Sequence, residues 1–325
     1  MSITGVEVRC AQTWTARVSV VLAIALFSTL APAQPAYPVK PIRLITPYPP
    51  GGVNDLIGRP VVQKLAESLG HPVLFDNRPG GNTIIGIQAV ARAPADGYTL
   101  LQLSGSYLLT SLLLTMPVDA AADFTPVATV ASTDYILVVH PSLPVNGLKE
   151  LIALAKARHG ELNYASTGTG GAIHVTSQMF NMMAGVKIVH IPYKGNSPAI
   201  TDLMAGHVHL HFSAPIAVIS QIKGGRLKAI AIGGEKRTAA LPQVPTFSEA
   251  GLRGFDVRAW YGWLAPTGTP RPVIERLSAE VARILALPDI RQHLQSQGME
   301  PFVSTPEQMA RMIAPDRARF EKIIA

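Results

Sequence analysis

Hydrophobic positions along this chain follow two alternating patterns. Short apolar runs closed by Gly, Pro or polar pairs give way to longer stretches in which apolar residues recur every three or four positions. The first pattern predicts strands and the second amphipathic helices. Pro41-Ile42-Arg43-Leu44-Ile45-Thr46 reads as a strand, Pro47 to Gly52 as a turn, and Val53-Asn54-Asp55 as a helix start. Val61, Leu65 and Leu69 share one helical face, Gly70 closes that helix, and Pro60 either begins it or kinks it. Strands are predicted over residues 73–75, 98–103 and 136–139, with helices ending near Arg92 and over residues 108–116.

The second half repeats this logic. A helix over residues 148–158 ends at Gly160, and a strand over 162–165 runs into Ser166-Thr167-Gly168-Thr169-Gly170-Gly171. The next helix buries Ile173, Phe180 and Met183, and a strand follows over 186–191. Ser197 is placed as an N-cap with Pro198 in the first turn, and Gly206 as the helix stop. Strands over 207–212 and 227–232 flank another helix, and Thr269-Pro270 opens one that buries Ile274, Leu277, Val281 and Ile284. Thr305-Pro306-Glu307-Gln308 is a capping box. Strands and helices in alternation predict an α/β protein with mostly parallel sheets.

Two glycine-rich loops, one in each half, fall between a strand end and a helix start, where ligands of α/β sheets bind. In Pro49-Pro50-Gly51-Gly52 the paired glycines let backbone N–H groups approach a ligand without a Cβ in the way. The helix dipole then favours negative charge there. Ser166 to Gly171 adds hydroxyl donors to the same arrangement. The pair predicts two lobes facing a cleft that holds a small anion reversibly.

Composition narrows the compartment and the partners. Arg9 and Arg17, an apolar run from Val18 to Leu30, and Ala31-Pro32-Ala33 form a secretory signal peptide over residues 1–33. The run falls short of the roughly 20 residues that span a bilayer. The one cysteine, Cys10, precedes the cleavage site, so the exported chain has no disulfide, thiolate metal site or cysteine nucleophile. A net charge of +7 is scattered without basic clusters, which points away from nucleic acid. It suits a protein that collects anions.

The ordered series Tyr37-Pro38-x-Lys40-Pro41-Ile42-Arg43, Pro49-Pro50-Gly51-Gly52-x-x-Asp55, Asn77-Arg78-Pro79-Gly80 and Asp96-Gly97-Tyr98-Thr99-Leu100 resembles the Bug family. These are the substrate-binding proteins of tripartite tricarboxylate transporters. The likeness continues through Tyr164-Ala165-Ser166-x-Gly168-x-Gly170, His174, Pro192-Tyr193-Lys194-Gly195, Asp202-Leu203 and Leu241-Pro242-x-Val244-Pro245-Thr246 to Ala265-Pro266-x-Gly268-Thr269-Pro270. It implies a type II periplasmic binding-protein fold. Lobe 1 would comprise residues 34–137 and 258–325, and lobe 2 residues 138–257. By position it puts Tyr48, Pro50, Gly51, Gly52 and Asp55 on one side of the ligand. Ser166, Thr167, Gly168, Thr169, Gly170, His174 and Asp202 fall on the other. It also implies a small carboxylate or related polar metabolite as ligand and the membrane subunits of a transporter as partners. The glycine loops predict at least one carboxylate, and the few charged residues of the second-lobe loops favour a mono- or dicarboxylate over a tricarboxylate. A monomer without a cofactor is expected.

Local readings compete at several of these residues. Asp55 is equally a helix cap, Asp202 is favoured at a helix start without any ligand, and His174 suits packing or capping. Lys194 adds positive charge to the cleft or simply meets solvent. Trp260, Tyr261 and Trp263 suit a core better than a cleft. His207, His209 and His211 share a face if they lie on a strand, a spacing open to zinc but without a further ligand nearby. The chain departs from the family pattern at His209, where an acidic residue is common, at Phe320, and at Pro60 and Pro315. An enzyme is disfavoured: there is no complete dinucleotide fingerprint, no phosphate loop with Gly-Lys-Ser/Thr, and Ser104-Gly105-Ser106 is no nucleophile elbow. A periplasmic sensor with the same fold, and an exported hydrolase, are the alternative outputs.

Overall fold

The computed structural model describes residues 37–105, 107–113, 117–119, 122–313 and 315. The signal segment expected over residues 1–33, Cys10, Phe320 and the last residues of the helix expected over 108–116 lie outside the described residues. Residues 37–39 belong to a unit apart from Lys40–Ala325, and the fold described below is that of the latter.

In the first half, strands β1 (Ile42–Thr46), β2 (Val73–Asn77) and β3 (Thr99–Ser104) alternate with helices α1 (Val53–Leu69), α2 (Ile84–Ala91) and α3 (Tyr107–Leu113). β1 pairs in parallel with β2 on one side and β3 on the other. α1 runs unbroken through Pro60 and buries Ile57, Val61, Leu65 and Leu69 before Gly70 ends it in the left-handed conformation (φ 65°). The long strand β4 (Phe124–Asp134) then leads through Tyr135 into β5 (Ile136–Val139).

β5 belongs to a second sheet. With it go α4 (Leu148–Ala157), β6 (Asn163–Ser166), α5 (Ala172–Ala184), β7 (Val189–Pro192), α6 (Asn196–Met204), β8 (Leu210–Ser213), α7 (Pro215–Lys223) and β9 (Lys228–Ile232). The chain returns to the first sheet in β10 (Arg258–Pro266), followed by α8 (Arg271–Leu285), α9 (Pro288–Ser296), β11 (Glu300–Pro301) and a helix over residues 306–313. The sheet orders are β11-β4-β10-β3-β1-β2 and β7-β6-β8-β5-β9. Two lobes, each a sheet covered by helices, are thus joined by two crossings.

Parallel pairing holds where the strand–loop–helix rhythm was legible, in β2-β1-β3 and β7-β6-β8. The strands that carry the crossings, β4, β5, β9 and β10, pair antiparallel with their neighbours. The crossings are tied to each other: Tyr135 N–H donates to Val257 O (3.0 Å) and Gly233 N–H to Tyr135 O (2.8 Å).

Each lobe has its own core. Ile45, Ile87, Leu101, Leu103, Leu264 and Met309 pack in the first lobe. Val138, Ala165, Leu203, Val208, Val218 and Leu241 pack in the second, beside a cluster of Phe180, Phe212, Phe247 and Phe255. Trp263 is fully buried, as expected of a core residue. The capping box forms as read: Thr305 N–H donates to Gln308 Oε1 (2.8 Å) and Gln308 N–H to Thr305 Oγ1 (3.2 Å).

Two local readings are corrected. Ser197 is not the cap of α6, which begins one residue earlier behind Gly195 at φ 118°. A glycine there allows the chain to enter the helix in a conformation that Ser would resist. The three alternating histidines do not share a strand face, because β8 begins only at Leu210. His207 lies near Asp202 (3.4 Å), His209 Nδ1 pairs with Asn163 Oδ1 (2.8 Å), and His211 is fully buried.

Candidate functional site

The first loop is held from beneath. Gly51, in the left-handed region at φ 77°, turns its N–H to Asp55 Oδ2 (3.1 Å). The same oxygen accepts from Arg59 Nε and Nη2, and Asp55 Oδ1 accepts from Asn77 Nδ2 (2.7 Å). Asn77 Nδ2 also donates to the Tyr48 carbonyl (3.1 Å). Asp55, buried and hydrogen-bonded throughout, fixes the loop from below. Gln102 on β3 fixes the helix start beside it: its Nε2 donates to Asn54 O (2.6 Å), and its Oε1 accepts from Trp263 Nε1 (2.9 Å).

The second loop has a different brace. Buried Ser166 accepts at Oγ from Gly168 N–H (3.1 Å) and lies 2.6 Å from His190 Nε2. His174 Nδ1 accepts from Gly170 N–H (3.1 Å), and its ring stacks on His190 at 4.1 Å, which in turn stacks on Tyr164 at 5.1 Å. Burial lowers the pKa of both imidazoles, that of His190 to about 4, with the facing His174 adding to the effect. A neutral ring is what lets His174 accept from the loop. On the neighbouring loop, Tyr193 OH donates to Asp202 (2.7 Å), and that bond holds the Asp202 carboxyl below its usual range.

Between the loops lies an inner cavity of about 60 Å³, lined by Tyr48, Pro49, Gly52, Val53, Asn54, Ser104, Tyr135, Thr167, Ala172, Ile173, Asn196, Ala214 and Tyr261. Helices α1, α5, α6 and α7 all begin on this wall, and none has a side-chain cap at its N-terminus. Four positive dipole ends and their free backbone donors therefore converge on one small space. The remaining wall is phenolic. Burial, reinforced by the neighbouring phenols, raises the pKa of Tyr135 and Tyr261, which are hydrogen-bonded to each other and stay protonated as donors. The lining carries no carboxylate and no ammonium among the described residues. Such a cavity favours one anionic group and offers it neutral donors, which bind reversibly.

An outer groove of about 800 Å³ opens next to it, sharing Tyr48, Pro49 and Thr167. Its further walls are Pro47, Pro79, Gly80, Gly81 and Thr83 on one lobe and Gly168, Thr169, Pro192, Tyr193, Lys194 and Gly195 on the other.

The sequence-predicted residues divide accordingly. Tyr48, Gly52, Thr167, Gly168 and Thr169 line one space or both. Asp55, Ser166, Gly170, His174 and Asp202 line neither space: Ser166 and Asp202 hold the lining residues Gly168 and Tyr193, and the other three bond within the loops, while Gly51 and Pro50 are exposed and line neither. Among the described residues no cluster of three His, Cys, Asp or Glu is arranged to hold a metal.

A model of the tripartite tricarboxylate transporter family receptor, TctC, matches residues 57–325. The chain belongs to this family. It is 36% identical over 291 residues to Protein BugT of Bordetella pertussis, an alignment covering 89% of each chain. Its fold superposes with a TM-score of 0.86 on Rpa4515 of R. palustris, solved with adipate (34% identity, covering 88% of this chain and 97% of that one). The periplasmic binding protein BugD superposes at 0.84, with 30% identity and the same coverage. The expected two-lobe periplasmic binding-protein fold is the one observed, and this TctC-family chain is a solute receptor whose relatives are periplasmic binding proteins.

Sequence reading missed Ser104, Tyr135, Asn196, Ala214 and Tyr261 as lining of the receptor's cavity. Tyr135 lies in the connection between β4 and β5, and Tyr261 in β10, a strand that the pattern obscures; only the tertiary arrangement brings them to the loops. Asn196 carried a signal, since it follows Gly195 at the same strand-to-helix position as the two recognised loops.

Proposed function

We propose that this receptor captures a small mono- or dicarboxylate in the periplasm and hands it to the membrane subunits of a tripartite tricarboxylate-type transporter. The observation that carries this is the convergence of four uncapped helix N-termini and two protonated phenols on a cavity without a charged side chain. The adipate held by Rpa4515 supports the same ligand chemistry. Residues 1–33 are removed on export, and the mature chain acts as a monomer without a cofactor, by recognition and with no bond broken. Closure moves the lobe of residues 138–257 against that of 34–137 and 258–325, with Tyr135 both in the crossing and in the cavity wall.

Proline at the first helical position removes an N–H donor yet suits a helix start. Gly171 before α5 is extended (φ −77°, ψ 166°), as a residue preceding proline must be. Ala172→Pro therefore deletes one cavity donor with little cost to the fold. Calorimetric titration of the mature protein with hexanoate, adipate, malate and citrate is expected to give saturable binding of at least one mono- or dicarboxylate. Ala172→Pro should weaken it about tenfold or more, the worth of one hydrogen bond to a charge. No binding of any carboxylate, or a proline variant with unchanged affinity and unchanged fold, would remove the basis of the proposal.

A further inference from the structure

We propose that the outer groove, with Thr83 and Lys194 as specificity-determining residues, selects a ligand with an apolar body and a hydrogen-bond-accepting group at the end remote from the buried carboxylate. The inference rests on the carboxylate reading of the inner cavity and adds what the rest of the ligand must be.

The inner cavity, at about 60 Å³, has room for a carboxylate and not for a whole metabolite, so the ligand's body extends into the adjoining groove of about 800 Å³. The rings of Pro47, Pro49, Pro79 and Pro192, with Tyr193, make that groove predominantly apolar. A hydroxylated body placed there would lose water without gaining partners, whereas methylenes or an aromatic ring would gain contact.

Two residues of the groove stand apart. Thr83 is the one non-glycine with positive φ among the described residues, at 79°. A β-branched side chain resists that conformation, and strain of this kind clusters at ligand sites. Thr83 also occupies the N-cap of α2 yet makes no capping bond, and its Oγ1 is buried without a hydrogen-bond partner. Threonine at an N-cap ordinarily satisfies a helix N–H. Here the residue carries a strained backbone and an unsatisfied hydroxyl at once, in the wall of the groove. A χ1 step exchanges hydroxyl and methyl between neighbouring staggered positions, and by such a step the unpartnered Oγ1 of this groove-lining residue would meet a ligand acceptor.

Lys194 is the one charged residue of the groove lining and has no ion-pair or hydrogen-bond partner among the described residues. It follows Tyr193, whose hydroxyl is anchored on Asp202. One mobile ammonium and one hydroxyl suit a single acceptor group, such as a second carboxylate, and leave a third carboxylate without a partner.

The test compares hexanoate, adipate and malate by calorimetric titration against the mature protein and its Thr83→Val, Thr83→Ser, Thr83→Gly and Lys194→Met variants. Adipate is expected to bind at least tenfold more tightly than hexanoate, and malate more weakly than adipate. Thr83→Val and Lys194→Met should each remove most of the adipate preference while leaving hexanoate within about twofold, and Thr83→Ser should retain it. Thr83→Gly should raise the melting temperature by releasing strain while losing the preference. Equal affinity for hexanoate and adipate, variants with an unaltered ratio, or malate as the tightest ligand would overturn this inference and leave the carboxylate site standing. Failure of all three acids to bind would overturn both.

Discussion

At the scale of single residues, charge and protonation are used to hold loops still. Asp55 accepts from Gly51, Arg59 and Asn77 within its own lobe, so its carboxylate shapes the first loop from below. His211 does the same for the second lobe. Its Nδ1–H donates to Ala165 O (2.9 Å), and its Nε2 lies 2.8 Å from the Asn196 side chain at the start of α6. Full burial pushes its pKa down to about 4. An unfolded histidine titrates near 6.5, so between these values the unfolded chain takes up a proton that the folded one refuses. Stability from this residue is therefore complete above about pH 6.5 and is lost as pH falls toward 4, by roughly 3 kcal/mol from a shift of this size. Urea melts of wild type and His211→Asn at pH 7, 6 and 5 should show a less stable variant at pH 7 with a flatter decline. Parallel declines would mean that other groups govern the acid limb.

At the scale of elements, α1 shows a local preference overruled by packing. Gly58 lies mid-helix, where alanine would add about 1 kcal/mol of helix propensity. A Cβ there would run into Phe75 Cε2 and Gln102 Oε1, both far inside contact distance. Overpacking costs about 1–3 kcal/mol, and displacing Gln102 endangers its bonds to Asn54 and Trp263 as well. The steric effect wins. Gly58→Ala is expected to lower the unfolding free energy by about 2 kcal/mol in urea melts. It should also weaken carboxylate binding, because Gln102 positions the start of α1. A stabilised variant would show that α1 shifts freely on the sheet. Elements with purely local rules, such as the capping box of Thr305 and Gln308, were legible in full. β4 was not, because Pro126 and the small polar Thr125, Thr129, Ser132 and Thr133 blur its alternation.

At the scale of the whole molecule, the two lobes touch through their loops. A Cβ on Gly195 would lie 2.9 Å from Pro49 Cδ and 3.0 Å from Pro49 Cγ, and one on Gly51 would lie 3.7 Å from Ser197 Oγ. Gly195 thus meets two demands, a φ of 118° and the approach of a proline ring from the opposite lobe. Gly195→Ala is expected to hold the lobes apart and, under the proposed closure over the ligand, to lower carboxylate affinity about tenfold or more. Small-angle scattering should then show compaction on adding a bound acid in wild type and less in the variant. Equal compaction and affinity would show that the Pro49–Gly195 contact is incidental.

The α/β class, the helical and strand periods, the capping box and the two loops where glycine is followed by a helix start are all legible from local residue patterns. These depend on neighbours within a turn or a pleat, and short-range sterics leave few alternatives. Which residues of those loops face the cavity and which brace it follows instead from contacts made in the folded chain. Ser166, His174 and Asp202 turn from the lined spaces toward Gly168, Gly170 and Tyr193, while Tyr135, between β4 and β5, and Tyr261, in β10, reach the cavity from positions remote in sequence. The direction of a side chain at a cleft depends on partners that long-range strand pairing brings together, and no local pattern carries that information.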